Sequence, residues 1–551
     1  MQFAFAALIS KALTDLWEDK ETVFTLAFVG GILGAVLFTL LAVLLKVQPT
    51  PLVGTIVLLI SLAVIIWQRG FFKGLGPAKW FLTFGLFVLL LRLIFIQGLI
   101  VPPYADSVTH LRIVDDLLDP SRAPQAFYRL AFDLRHYYHV GFHALAAWLS
   151  GATSTAPSQA VLILGQYFQT MAVLSIYPLS RILFRNSHSV WMGVVVASLL
   201  LPTPSYASNW GKYPAISSMV GIVFVFSLLS IYAIRRFRPT IPFWILTGLT
   251  ILSAVCLHSR SLAVVLIALS MVILGPCIMQ AVRKIVAERK NADYEGIIAT
   301  FLVALTIVFL ILVGEPSVPM WLVLTVVMLS ALAFHGNFTL AVALSALTIL
   351  VGTGYFISAQ WFSLPVRFGR IFDYPFLVIF AFIPLSLLVE LAMEGALRFF
   401  PSTKAHSLQR WIVILLLVLG FANIAFIQDQ HPSACCVFLD DDDLFTFGWM
   451  EENLPADTLV GVAATGQAGN FLPSDGGAWI EYFTPIPTRK LDFNLNFYEA
   501  AVNLCQAGIR YLYLDDLATS FDEYELAEVG GVFQFGLGDV KVYRLKCEEA
   551  R

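Results

Sequence analysis

Residues 102–143 of this 551-residue chain, PPYADSVTHLRIVDDLLDPSRAPQAFYRLAFDLRHYYHVGFH, gather the side chains best suited to carry chemistry. They form the first long polar break after three very apolar segments. Asp106 stands near its start, and an acidic residue kept this close to the end of a membrane-spanning helix usually has a use. On a helix, Asp106 and His110 lie one turn apart on a shared face. Val108, Leu111 and Leu118 make a separate apolar stripe, with Val114 at its edge. That pattern lays the helix on the membrane with Asp106 facing the protein. Such a carboxylate is a candidate for the chemical centre of a membrane-embedded enzyme. The competing reading is a helix N-cap, because Asp106 follows Pro-Pro-Tyr-Ala just ahead of a periodic run. Asp133 is either a second carboxylate assisting the first or a partner for Arg129 or Arg135. Asp115, Asp116 and Asp119 read as a solvated face beside Arg112 and Arg122.

The histidines and cations complete the candidate set. His139 and His143 share a helical face, a spacing that suits one metal with an added carboxylate. No HExxH pattern accompanies them, and the other readings are interfacial histidines or contacts to a substrate head group. No metal ligand is assigned; a divalent metal is compatible with the sequence but not required by it. His258 and Arg260 share the turn LHSRS, Lys212 lies in NWGKYP, and Arg367 and Arg370 lie in VRFGRIFDY. A charge near a membrane boundary is costly unless it snorkels or meets a counter-charge. Cations at the ends of well-separated segments suit a phosphate or pyrophosphate head group.

These residues must be held by a membrane protein. The chain is 58% hydrophobic and 13% charged, with mean hydropathy +0.80, whereas soluble domains are about 25% charged. The net charge of −3 says nothing about nucleic acid, and no long basic run points to it, so nucleic acid is not an expected partner. The opening MQFAFAALISKALTDLWEDKE has no basic start or cleavage site and is not a signal peptide. It reads as an amphipathic helix lying on the membrane or capping the bundle.

Spanning helices need about 20 mostly apolar residues. The candidates are 23–46, 50–67, 79–101, 158–182, 189–204, 213–234, 240–256, 261–282, 297–313, 318–334, 338–357, 374–393 and 411–428, about thirteen helices in an all-α polytopic bundle. With the N-terminus in the cytoplasm, the basic clusters around Arg69, Arg181, Arg235, Arg283 and Lys404 all fall inside. This holds only if residues 137–150 form a re-entrant or interfacial helix instead of crossing. Residues 102–157 are then the first large outer loop. Asp106, Asp133, Lys212, His258, Arg260, Arg367 and Arg370 all face outward.

The tail, 429–551, has a different composition. Short β-type runs (TLVGVAA, RYLYL, KVYRL) and one helical run (FYEAAVNLCQAG) predict a small α/β domain outside the membrane. The run Asp440–Asp443 is a cation site or, the simpler choice, a solvated loop. Trp479 reads as core, with stacking on a sugar ring as its rival. Cys256 and Cys277 read as small buried hydrophobes. Cys435, Cys436, Cys505 and Cys547 allow a disulfide if the tail is outside, with the pairing open.

In layout the chain resembles the GT-C integral-membrane glycosyltransferases that use polyprenyl-phosphate-linked sugars, such as the bacterial aminoarabinose transferase and protein mannosyltransferase group. The similar features are the outer loop opening with PPYADSVTHL, the aromatic HYYHVGFHALAAWL after it, and the spanning SIYPLSRILFR. The outer NWGKYP loop, the late VRFGRIFDYP loop and an outer domain opening with WMEENLPADTLV complete it. The resemblance implies a bundle over 1–428 and an outer domain over 429–551. It implies Asp106 as the catalytic acidic residue, acting alone or with Asp133, and Arg367 or Arg370 holding the lipid phosphate. Lys212 and Arg260 are looser matches, with His110, His139, His143 and His258 as substrate contacts. Many relatives carry two adjacent acids where this chain has Asp106-Ser107, which argues against a metal-assisted mechanism. The implied partners are the lipid bilayer, a polyprenyl-phosphate-linked sugar, and a glycan, lipid or protein acceptor. The implied reaction is inverting transfer, with a desolvated Asp106 as base. A transporter or lipid flippase is the rival class, and a non-catalytic assembly or sensor protein the third. No internal repeat supports transport, and the ionisable residues gather at one face instead of the midplane.

Overall fold

The structure, a computed structural model, describes residues 1–133, 138–184, 187–201, 203–235, 240–273, 374–397, 402–426, 432–465 and 472–547. Arg367 and Arg370 lie outside the described residues, as do the expected spans 297–313, 318–334 and 338–357.

Four described helices are long and apolar enough to cross a membrane: α2 (Lys20–Leu44), α4 (Leu75–Phe95), α8 (Pro157–Leu183) and α10 (Tyr213–Ile234 of Tyr213–Arg235). The chain is therefore a largely helical membrane protein. Shorter apolar helices include α1 (Gln2–Thr14), α3 (Pro51–Trp67), α11 (Ile241–Leu257) and α12 (Ser261–Ile273). Local chemistry sets the helix starts. Asp19 caps α2 by accepting from the Glu21 amide, and Thr50 caps α3 with Pro51 in its first turn. In α8 and α10, 89% and 83% of the apolar window is buried, against 28% in α4. The first two therefore form the centre of the bundle, while α4 and α3 present leucines, isoleucines and tryptophans outward. Between α1 and α2 the fit is tight: a Cβ on Gly31 would lie 2.3 Å from the Gln2 carbonyl oxygen. Helix α1 thus packs into the bundle, in line with the expected cap.

Between α4 and α8 the chain makes α5 (Asp106–Leu118), α6 (Ala123–Phe132) and α7 (Gly141–Thr153). Helix α7 has 13 residues, a length of about 20 Å and too short to cross. It is buried along nearly its whole length. Helix α5 departs from the expected surface helix. Ser107, Val108, His110, Leu111, Ile113, Val114 and Leu117 are all buried, so protein contacts cover both the apolar stripe and the His110 side.

The C-terminal unit carries a six-stranded sheet in the order β2-β1-β4-β6-β5, with β3 also pairing β1. The strands are β1 (Leu459–Thr465), β2 (Leu472–Pro473), β3 (Thr488–Asp492), β4 (Ile509–Leu514), β5 (Val532–Leu537) and β6 (Val540–Arg544). Strands β3 and β4 run parallel to β1, and β6 runs antiparallel to β4 and to β5. Trp479 is wholly buried, which rules out stacking on a sugar. Cys505 and Cys547 form a disulfide, while Cys435 and Cys436 are thiols. The acidic run is no solvated loop. Asp440 caps the helix Asp441–Asn453 in a capping box with Asp443, and Asp443 is buried.

Two contacts fix this unit to α5. Arg112 pairs with Glu481 at 3.2 Å, and Asp115 bonds to Tyr482. The linker ahead of the unit makes two more: the Tyr104 amide donates to the Cys436 carbonyl at 2.8 Å, and the Ser433 amide to Asn209 Oδ1 at 3.1 Å. Tyr104 lies two residues before Asp106 and Asn209 three before Lys212.

Candidate active site

Asp106 sits in the first turn of α5, where unpaired backbone N–H groups favour a carboxylate. It is not the N-cap; that position is Ala105. Its Oδ2 accepts a hydrogen bond from Lys212 Nζ. Both side chains remain roughly 30% open, at 29% for Lys212 and 30% for Asp106. The carboxylate is thus ion-paired and faces a cavity.

Lys212 reaches Asp106 because of the backbone just before it. Gly211 has φ +61. A Cβ there would lie 2.5 Å from Ser107 Oγ and 2.9 Å from the Pro103 carbonyl oxygen, so only glycine fits. The close approach brings the Gly211 carbonyl onto α5, where it accepts from His110 Nε2 at 2.9 Å.

The cavity has a volume of about 250 Å³. Asp106, His110, His139, Lys212, His258 and Arg260 all line it. Six expected site residues, spread over more than 150 positions of sequence, therefore share one pocket. Tyr138, Ser259 and Phe376 line it as well. The sequence reading missed them, although the Tyr-Tyr-His run and the position of Ser259 between His258 and Arg260 were the available signals.

One wall is aromatic. The Tyr138 and His139 rings stack at 4.1 Å. His139 and His258 lie 4.4 Å apart, centre to centre, and His258 stacks on Phe376 at 5.1 Å. Burial pushes the His139 imidazole well below the usual histidine range, and His258 and Arg260 act in the same direction. A neutral imidazole both donates and accepts, so this wall suits hydroxyl groups, while the Lys212 and Arg260 side suits an anion.

Two described residues of the expected set stand outside the cavity lining. His143 is fully buried behind the cavity, with its Nε2 2.9 Å from His110 Nδ1. Asp133 ends α6 and is not among the cavity-lining residues, so a second carboxylate beside Asp106 is not what the structure presents. Arg367 and Arg370 were assigned the lipid phosphate from a region outside the described residues. Among the described residues, no three His, Cys, Asp or Glu side chains are grouped to hold a metal ion.

No family model matches the chain, and no curated protein matches it. Among solved structures it is similar to the arabinofuranosyltransferase AftD from Mycobacteria, with 14% identity and a TM-score of 0.38, over 85% of this chain and 40% of that one. Two structures of a mutant form of AftD give 12% and 13% identity, with TM-scores of 0.36 and 0.33. The chain spans about 40% of the length of the structure it matches first.

Proposed function

We propose that this protein is a membrane glycosyltransferase that moves a sugar from a polyprenyl-phosphate donor to a glycan, lipid or protein acceptor, with Asp106 as general base. The observation that carries it is one cavity lined together by a carboxylate, two cations and a wall of histidine and aromatic rings. The donor phosphate takes Lys212 from Asp106 and adds Arg260, with Arg367 and Arg370 as further holders. Asp106, released from its ion pair, accepts the proton of the acceptor hydroxyl. The acceptor oxygen bonds to the anomeric carbon as the bond from that carbon to the phosphate oxygen breaks. The electron pair leaves on the phosphate, where the cations stabilise it. Attack from the face opposite the phosphate inverts the configuration.

The same proposal places the N-terminus in the cytoplasm and the C-terminal unit outside a cell membrane crossed about thirteen times. The Cys505–Cys547 disulfide supports that placement, because disulfides persist in oxidising compartments. The bundle, 1–428, then holds the chemistry, and 429–551 covers its outer face. The test is sugar transfer by the purified protein in lipid bilayers. Asp106→Asn is expected to abolish transfer while donor binding survives. Full activity in that variant, or flux of lipid-linked sugar across the bilayer with no covalent product, would overturn the proposal.

A further inference from the structure

His110 and His143 lie back to back behind Asp106, and their hydrogen bonds can be counted in protons. His110 Nε2 meets the Gly211 carbonyl at 2.9 Å. His143 Nδ1 meets the His139 carbonyl at 3.0 Å. A carbonyl oxygen only accepts, so both of these nitrogens carry hydrogen. The other two, His110 Nδ1 and His143 Nε2, face each other at 2.9 Å, and one of them must also carry hydrogen. Three N–H groups are needed, and two neutral imidazoles supply two. The arrangement is complete only with one extra proton.

We propose that His110 and His143 share one extra proton in the closed arrangement seen here, and that an anionic head group entering the cavity favours this charged arrangement over a neutral one with a contact open, so that the pair acts as a buried cation of the anion-binding cavity. This rests on the glycosyltransferase proposal only in placing a phosphate there. Two influences compete over the proton. Both rings are buried, and burial disfavours the charge, taking His110 down to about 4. The Asp106 carboxylate and the Gly211 carbonyl favour it, while Lys212 opposes it. His139 adds a further unfavourable neighbour on the His143 side. Tyr138 packs near both rings, at 6.2 Å and 5.7 Å, and His258 and Arg260 lie across the cavity. An incoming phosphate adds negative charge to this set and tips the balance toward the charged pair. Without the extra proton, one of the three contacts must open. The Gly211 carbonyl is one of them, and it is adjacent to Lys212. The pair is therefore a positioning element for Lys212 as well as a charge.

The test is calorimetry on the full chain in detergent or nanodiscs, with a polyprenyl methyl phosphodiester as the probe. Its one negative charge does not titrate near neutral pH, so any proton taken up or released on binding is taken up or released by the protein. Binding enthalpy measured near neutral pH in buffers of different ionisation enthalpy is expected to show uptake approaching one proton per site. In His143→Gln the amide N–H₂ can donate to His110 Nδ1 without any charge, so uptake is expected to vanish while the probe still binds. Nitrogen-15 spectra of the histidine-labelled wild type should show an imidazolium signal that grows with the probe, a readout independent of any variant's folding. Binding with no proton uptake in the wild type, or undiminished uptake in His143→Gln, overturns the inference. Loss of sugar transfer with uptake intact would instead sink the enzymatic proposal and leave the proton pair standing.

Discussion

Two regions of the molecule hold carboxyl groups out of bulk water, and they do so in opposite ways. At the cavity, Asp106 has a cation on it and open space in front of it. In the C-terminal unit, Asp443, Asp475 and Asp515 gather with no cation among their bonded partners in the described residues. Asp443 accepts from the Tyr513 hydroxyl and the Asp440 amide. Asp475 accepts from Ser520 and the Gly477 amide, and Asp515 from the Gly476 amide. Burial pushes Asp443 up to about 8 and Asp515 up to about 6, with Asp475 raised well above the carboxylate range. Carboxyls whose charge is disfavoured by burial and that are tied to hydroxyls and amides brace a fold. A carboxylate with a displaceable ammonium partner beside a cavity is equipped to exchange a proton.

The sharpest way to break that contrast is to remove the charge at each place. Asp106→Asn is expected to cut sugar transfer by about 10²–10⁴-fold, the range for loss of a general base, with little change in the unfolding temperature. Lys212→Met should weaken donor binding by roughly tenfold or more, since a charged hydrogen bond contributes about 1.5–3 kcal/mol; titration with donor lipid checks it. Gly211→Ala should lower both stability and donor affinity. Its strained backbone costs on the order of 1–3 kcal/mol, and its methyl group collides with the α5 start; thermal unfolding and donor titration report the two effects.

Asp443→Asn should do the reverse in the C-terminal unit. Unfolded aspartates titrate near about 3.9. Below that pH, Asp443 is protonated in both states and costs nothing. As pH rises from there toward the folded value of about 8, only the unfolded chain gains by ionising, so stability falls. The unit should therefore resist unfolding better at pH 5 than at pH 8, roughly speaking, and Asp443→Asn should flatten that slope. Hydrogen exchange at β1 and β4 in the intact protein would read it. The smallest effect expected is from Arg112→Ala. Its exposed pair with Glu481 contributes at most about 1 kcal/mol, and transfer activity should barely change.

Much of the site was legible because topology alone collects it. Asp106, Lys212, His258 and Arg260 each sit just beyond an end of an apolar run, and those ends meet at one cavity. Asp133 lies in the same polar stretch as Asp106, yet it follows α6 and is not among the cavity-lining residues, because sequence position alone does not say which side chains reach a cavity. The His139–His143 spacing was visible as a shared helical face. However, His139 precedes α7, so that face does not exist as a continuous helix, and His143 meets His110 instead. The acidic run at Asp440 looked solvated because charge runs usually are; its capping role needed the helix behind it.

Composition and periodicity, which are local and additive, determined that this is a helical membrane protein with an α/β tail, and where its polar breaks fall. Only the tertiary structure decided which partners meet: Lys212 on Asp106, His143 on His110, Cys505 with Cys547, and the Gly211 carbonyl against α5. Those pairings depend on how close two distant backbones approach, which no single segment encodes. At Gly211 the approach is set by an absent side chain, and its reason appears only once α5 lies against it.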